Sequence, residues 1–138
     1  VKLNHLEDRD IRFLVDDVGK FVKREMRRGN KYDIIIMDPP SFGRGSKSEV
    51  WNIEKDLYKL VQDCVSLLSD KPLLFLINAY STGVSKTILE DILQMTVNQK
   101  YSGVISSDEL GLKMTNTSYV LPCGIYGRWE KSVTKGFE

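Results

Sequence analysis

The chain has 138 residues, 41% of them hydrophobic and 28% charged, with 20 Lys and Arg against 19 Asp and Glu. That is one domain's worth of chain with apolar side chains enough for its own core, and it excludes disordered, collagen-like and low-complexity classes. A net charge of +1 gives no global electrostatic signature of a nucleic-acid partner.

Ile11-Arg12-Phe13-Leu14-Val15 is short, apolar and β-branched at both ends, which predicts a strand. Asp16-Asp17 ends it, and Val18, Phe21, Val22 and Met26 then recur at helical spacing. Asp17 is placed to cap that helix and Gly29-Asn30 to end it. Tyr32-Asp33-Ile34-Ile35-Ile36-Met37 is almost continuously apolar, the pattern of a strand buried on both faces of a parallel sheet. Asp38-Pro39-Pro40 stops it, because proline cannot donate to a ladder. A Gly/Ser loop over residues 41–48 precedes a second helix, capped by Asn52, with Ile53, Leu57, Leu60, Val61, Cys64 and Leu68 on one face. Residues 72–78 predict another doubly buried strand. A loop through Ser81, Thr82 and Gly83 leads to a third helix capped by Ser85. Residues 101–109 and 118–129 read as two long strands joined by a turn, an antiparallel pair at the sheet edge.

Strands alternating with helices predict an α/β fold with a mostly parallel sheet. Ligands of such sheets bind outside the carboxyl ends of the strands. The polar groups expected on that rim are Asp16 and Asp17, Asp38-Pro39-Pro40, and residues 78–82. Asp38-Pro39-Pro40-Ser41-Phe42 is the most informative of these. It joins a carboxylate, a stiffened backbone with free carbonyls and an aromatic ring, a set that can accept from an amino group while stacking a planar ring. By itself the pentapeptide is equally a proline-terminated strand with a core Phe.

Other classes are excluded by what the sequence lacks. The longest apolar run, Pro72 to Ile77, is far short of the roughly 20 residues of a membrane helix. The polar start has no signal-peptide pattern, so a cytoplasmic protein away from the membrane is expected. Cys64 and Cys123 lie far apart with no CxxC spacing and read as reduced thiols. His5 is the single histidine, so no metal site and no Ser-His-Asp triad is expected. Gly43 to Ser48 lacks phosphate-loop spacing, which rejects nucleotide hydrolysis. The basic run from Lys20 to Lys31 reads as a solvated face or an RNA-binding one.

Asp38-Pro39-Pro40-Ser41-Phe42 resembles motif IV of class I S-adenosylmethionine-dependent methyltransferases, in the DPPxF form of a group of large-subunit rRNA methyltransferases. The flanks agree: residues 11–18 resemble the segment that binds the cofactor adenine, residues 73–81 a later strand-end motif, and residues 121–129 the terminal hairpin. The resemblance implies a Rossmann-like sheet and methyl transfer from S-adenosylmethionine to RNA, ribosomal RNA foremost. It implies that Asp17 (or Asp16) and the Val18 N–H hold the adenine. Asp38, Pro39, Pro40 and Phe42 then place the target at the methyl donor. Arg44, Lys47, Asn78, Tyr80 and Ser81 are the implied substrate contacts.

Two departures qualify it. The glycine-rich cofactor turn and the first two strands of the family fold are missing, so the chain reads as the C-terminal portion of one domain over residues 1–138, cut at Val1. It is expected to bind cofactor weakly, to be inactive alone, and to leave sheet edges open for a partner, a homodimer included. The strand end at Asn78-Ala79-Tyr80-Ser81 also lacks the cysteine that C5 methylation of cytosine needs, which favours transfer to a base nitrogen or ribose oxygen. The alternatives are a non-catalytic RNA-binding or assembly module and a small-molecule or protein methyltransferase.

Overall fold

The computed structural model of the chain describes residues 1–44, 50–80 and 83–132. Its helices start where the sequence offers caps. The first, α1 (Val18–Arg28), begins at Asp17, which accepts from the Lys20 amide at 2.8 Å, and ends at Gly29. The second, α2 (Ile53–Val65), begins at Asn52, bonded to the Glu54 amide at 2.9 Å. The third, α3 (Lys86–Met95), begins at Ser85 and is followed by the single turn α4 (Val97–Lys100). Each cap satisfies an N–H that the first turn leaves without a carbonyl partner.

The strands are β1 (Ile34–Met37), β2 (Phe42–Arg44), β3 (Val50–Asn52), β4 (Leu74–Ala79), β5 (Gly103–Lys113) and β6 (Val120–Lys131). Four form one sheet in the order β1-β4-β6-β5; β2 and β3 form a separate antiparallel pair. β1 runs parallel to β4, while β6 is antiparallel to both β4 and β5. The α/β class, the parallel pairing and the terminal antiparallel pair thus follow the expected pattern. The expected loop over residues 41–48 contains β2, which pairs antiparallel with β3 just before α2.

Two expectations are corrected. Residues 11–15 form no strand: they are exposed, Phe13 at 78%. A strand is held by cross-strand bonds and packing, and no described strand lies beside this segment. β1 is therefore an edge strand. Nor are β1 and β4 buried on both faces. Met37, Phe75 and Ile77 are buried, but Ile36 on the opposite face is 62% exposed and Leu74 and Leu76 are only half-buried. The cause is topological. The chain steps across the sheet in one direction, from β1 to β4 to β5, and right-handed crossovers then put the connecting helices on the same face. Leu57 and Val61 of α2 and Leu89 and Leu93 of α3 share one core with Phe75, Ile77 and Trp129. No described helix covers the other face.

The end of α1 is fastened by a buried carboxylate. Glu25 accepts hydrogen bonds from the Tyr32 hydroxyl, from Asn30 Nδ2 at 2.7 Å and from Arg28 at 3.1 Å. Those bonds, led by that of Tyr32, pull its carboxyl from an ordinary 4.5 down to about 2. The lock ties α1 to the chain entering β1. No helix among the described residues is long and apolar enough to cross a membrane.

Because the folded-state value lies below the unfolded one, Glu25 contributes stability that is complete above pH about 4.5 and lost as pH falls toward 2. Glu25→Gln is expected to lower the melting temperature at pH 7, with the deficit shrinking through that window. Melting curves from pH 2 to 7 check this; a deficit independent of pH contradicts it.

Candidate functional site

β1 and β4 pair in register, Ile34 with Leu74 through Met37 with Ile77. Asp38, the residue after β1, therefore comes level with Asn78 near the end of β4, on backbones about 4.8 Å apart at the carboxyl rim. On the far side of β4, Tyr126 of β6 sits opposite Asn78. Asp38 is exposed just past the buried Met37, and no described residue hydrogen-bonds its carboxylate. Asn78 is half-buried.

The two prolines end the ladder, and the chain after them is held by α2's entry segment. Trp51 Nε1 donates to the Pro40 carbonyl at 2.6 Å, and the Ile53 amide donates to the Ser41 carbonyl at 3.1 Å. Phe42 then pairs with Asn52 in the β2–β3 hairpin, its side chain 55% exposed. Asn52 is itself doubly fixed: its side chain caps α2 and its amide donates to Asp56 at 2.8 Å. Trp51 thus anchors the motif loop. The hairpin was illegible because three-residue strands are too short to show periodicity.

The loop after β4 meets the same platform. A Cβ built on Gly83 would come within 1.7 Å of Glu54 Oε1, so the loop and the first turn of α2 touch. Gly124 of β6, at φ +95°, lies so close to the end of β4 that a Cβ there would sit 2.5 Å from the Ala79 carbonyl. Only glycine takes that conformation cheaply. Tyr80 stands beside it, 61% exposed.

Asp38, Pro39, Pro40, Phe42, Asn78 and Tyr80 are thus brought to one rim, with Arg44 exposed at the end of β2. Lys47 and Ser81 lie outside the described residues. Asp16, Asp17 and Val18 are not carried onto the rim by a strand, because the strand before them is not formed. Asp17 caps α1 through Oδ1. Asp16 accepts from the Asp17 amide and pairs with Arg24, whose hydrogen bond holds its carboxyl below the usual range. Cys64 is in the core, its thiol pushed up to about 12 by burial, and Cys123 Sγ donates to the Leu121 carbonyl of its own strand.

No family model matches the chain. Among curated proteins, it is 28% identical over 93 residues to ribosomal RNA large subunit methyltransferase K of Neisseria meningitidis serogroup B, covering 67% of this chain and 25% of that protein. It is 48% identical over 42 residues to ribosomal RNA large subunit methyltransferase I of Salmonella arizonae, covering 30% of this chain and 10% of that protein. Among solved structures, the SAM-dependent methyltransferase from Agrobacterium tumefaciens superposes with a TM-score of 0.83 at 34% identity, over 95% of this chain and 43% of that one. SMU.776 complexed with SAH, at 24% identity and a TM-score of 0.61, shows a shared fold. The chain resembles class I S-adenosylmethionine-dependent methyltransferases, and among them the large-subunit rRNA enzymes. It spans about a quarter of the length of the first curated relative.

Trp51→Phe keeps the ring and deletes the bond to Pro40. It is expected to cost about 1 kcal/mol and to lose amide protection in β2–β3 while the β4–β6 amides keep theirs. Hydrogen exchange reads this; uniform loss across the sheet contradicts a local anchor.

Proposed function

We propose that the chain is the C-terminal portion of a methyltransferase domain that moves a methyl group from S-adenosylmethionine to a nitrogen or oxygen of RNA, ribosomal RNA foremost. The observation that carries this reading is that the register brings Asp38, just past β1, level with Asn78 of β4 at the carboxyl rim, with exposed aromatic residues, Phe42 and Tyr80, following them in the chain. A carboxylate without a described partner, an amide and two rings are the groups a purine or pyrimidine edge needs.

The entry of α1, which no strand carries onto the rim, keeps groups for one end of the cofactor. Asp17 uses Oδ1 on its helix and has Oδ2 left for an adenine amino group, and the Val18 N–H is among those the first turn leaves for outside acceptors. The described residues include no glycine-rich turn for the cofactor's other end, and the reading assigns that turn to the rest of the protein. The open edge of β1, the uncovered face with Ile34 and Ile36, and exposed residues 11–15 support it, because a parallel sheet is ordinarily covered on both faces. A second copy of the chain is the competing occupant of that edge.

S-adenosylmethionine, when bound, supplies an electrophilic methyl on its sulfonium. The work of this chain's residues is placement. Asp38 and the Pro39 carbonyl accept from the acceptor's N–H or O–H and aim its lone pair; Phe42 and Tyr80 hold its ring. A bond from that atom to carbon forms as the carbon–sulfur bond breaks, and the acceptor's proton leaves to Asp38 or water. An acceptor with a lone pair needs no covalent activation, so in-line positioning is the main contribution. The cysteines agree with this: Cys64 is buried and protonated, and Cys123 bonds its own strand.

In the complete protein, Asp38→Ala is expected to reduce transfer of labelled methyl to RNA by at least about 100-fold with cofactor binding retained, and Cys123→Ser to leave transfer intact. Loss of cofactor binding in the first variant would show the role misassigned. Loss of transfer in the second would revive a cysteine mechanism. Label in protein or metabolites with none in RNA would overturn the substrate class.

A further inference from the structure

Charge in this chain is segregated. Residues 18–31 hold Lys20, Lys23, Arg24, Arg27, Arg28 and Lys31 against the single carboxylate of Glu25, a net +5 in a chain whose total is +1. Everything outside this one helix and its exit is therefore net acidic.

The structure sorts these cations. Arg24 pairs with Asp16 and lies over the Phe21 ring at 5.7 Å; Arg28 pairs with Glu25; Lys31 donates to the Ser66 carbonyl. Lys23 and Arg27 are exposed and have no ion-pair partner among the described residues. At about 100° per residue, Lys20, Lys23 and Arg27 fall within about 60° of arc. That arc lies opposite Val22 and Glu25, the buried side of α1. It points away from the core of the described residues.

Such a stripe works against the helix. Like charges three and four residues apart destabilise it, and a lysine in the first turn opposes the macrodipole. Solvation alone is met as well by mixed signs. A single-sign stripe along about 10 Å of helix complements a polyanion, and its long side chains reach phosphates without reading bases. We infer that the outward stripe of α1, Lys20, Lys23 and Arg27, docks the sugar-phosphate backbone of the RNA substrate and holds it while the rim engages the target nucleotide. The inference rests on the methyltransferase reading for the identity of the RNA as substrate, and on charge geometry for the surface.

The test uses the complete protein and a labelled RNA of about 30 nucleotides, with anisotropy titrations from 50 to 200 mM salt. The triple variant Lys20→Gln, Lys23→Gln, Arg27→Gln keeps helix propensity. It is expected to weaken binding about tenfold or more at the lower salt and to lessen the slope of log affinity against log salt by about 2 to 3. A control, Lys55→Gln, Lys71→Gln, Lys100→Gln, is expected to change neither. Unchanged affinity and slope in the first variant overturn the inference, as does a wild type without salt-dependent RNA binding. Displacement of the RNA by polyglutamate at equal charge concentration overturns it in favour of an acidic protein partner. Methyl transfer is read in parallel. RNA binding through α1 with no methyl incorporated defeats the functional reading alone. Transfer that proceeds with the triple variant binding normally defeats this inference alone.

Discussion

The parallel pairing of β1 with β4 is the constraint on which the rest depends. A parallel pair needs a crossover between its strands, and here the crossover carries the DPPSF motif at its start and α2 at its end. Because the register is fixed residue for residue, Asp38 just past the end of β1 comes level with Asn78, the penultimate residue of β4. The prolines then keep the chain from extending the ladder, and the bonds from Trp51 and Ile53 fold it back over α2. The Asp38 carboxylate is thus carried on a proline-stiffened segment anchored at its far side, and the positioning role proposed for it would draw on that backbone.

The same topology explains what is left open. Every crossover runs in one direction, so the helices share one face and the sheet's other face keeps Ile34 and Ile36 in contact with solvent. The sequence of β1 is written for burial on both sides, and the structure supplies one. That mismatch is a physical argument for a further layer, independent of any resemblance. It matches the partial overlap with the Agrobacterium tumefaciens enzyme, of which the chain covers 43%. The two open surfaces lie on the sheet, and the basic stripe lies on the outer side of a helix. One face can thus complete the fold while another meets a polyanion.

Local chemistry was legible in the sequence, and partner-dependent chemistry was not. Asp17, Asn52 and Ser85 could be read as caps because each serves an N–H two or three residues away. The apolar runs of β1 and β4 marked strands, and the strand-end rule marked Asp38 and Asn78. Residues 11–15 have the composition of a strand, yet a strand exists only with a neighbour. The anchoring role of Trp51 depends on a carbonyl eleven residues earlier. Glu25 reads as a lone acid on a basic helix; its burial follows only once Asn30 and Tyr32 have turned back toward it. The adenine contacts expected of Asp16 and Asp17 are legible as polar groups before a helix, but their approach to the rim depends on a strand that needs further chain.

The central claim is that this rim positions an RNA atom carrying a lone pair beside a methyl donor. It is tested most directly by mass spectrometry of nucleosides from RNA treated with the complete protein and isotopically labelled S-adenosylmethionine. The account predicts label on a base nitrogen or a ribose oxygen. Label on a ring carbon, or none on any nucleoside, would contradict it.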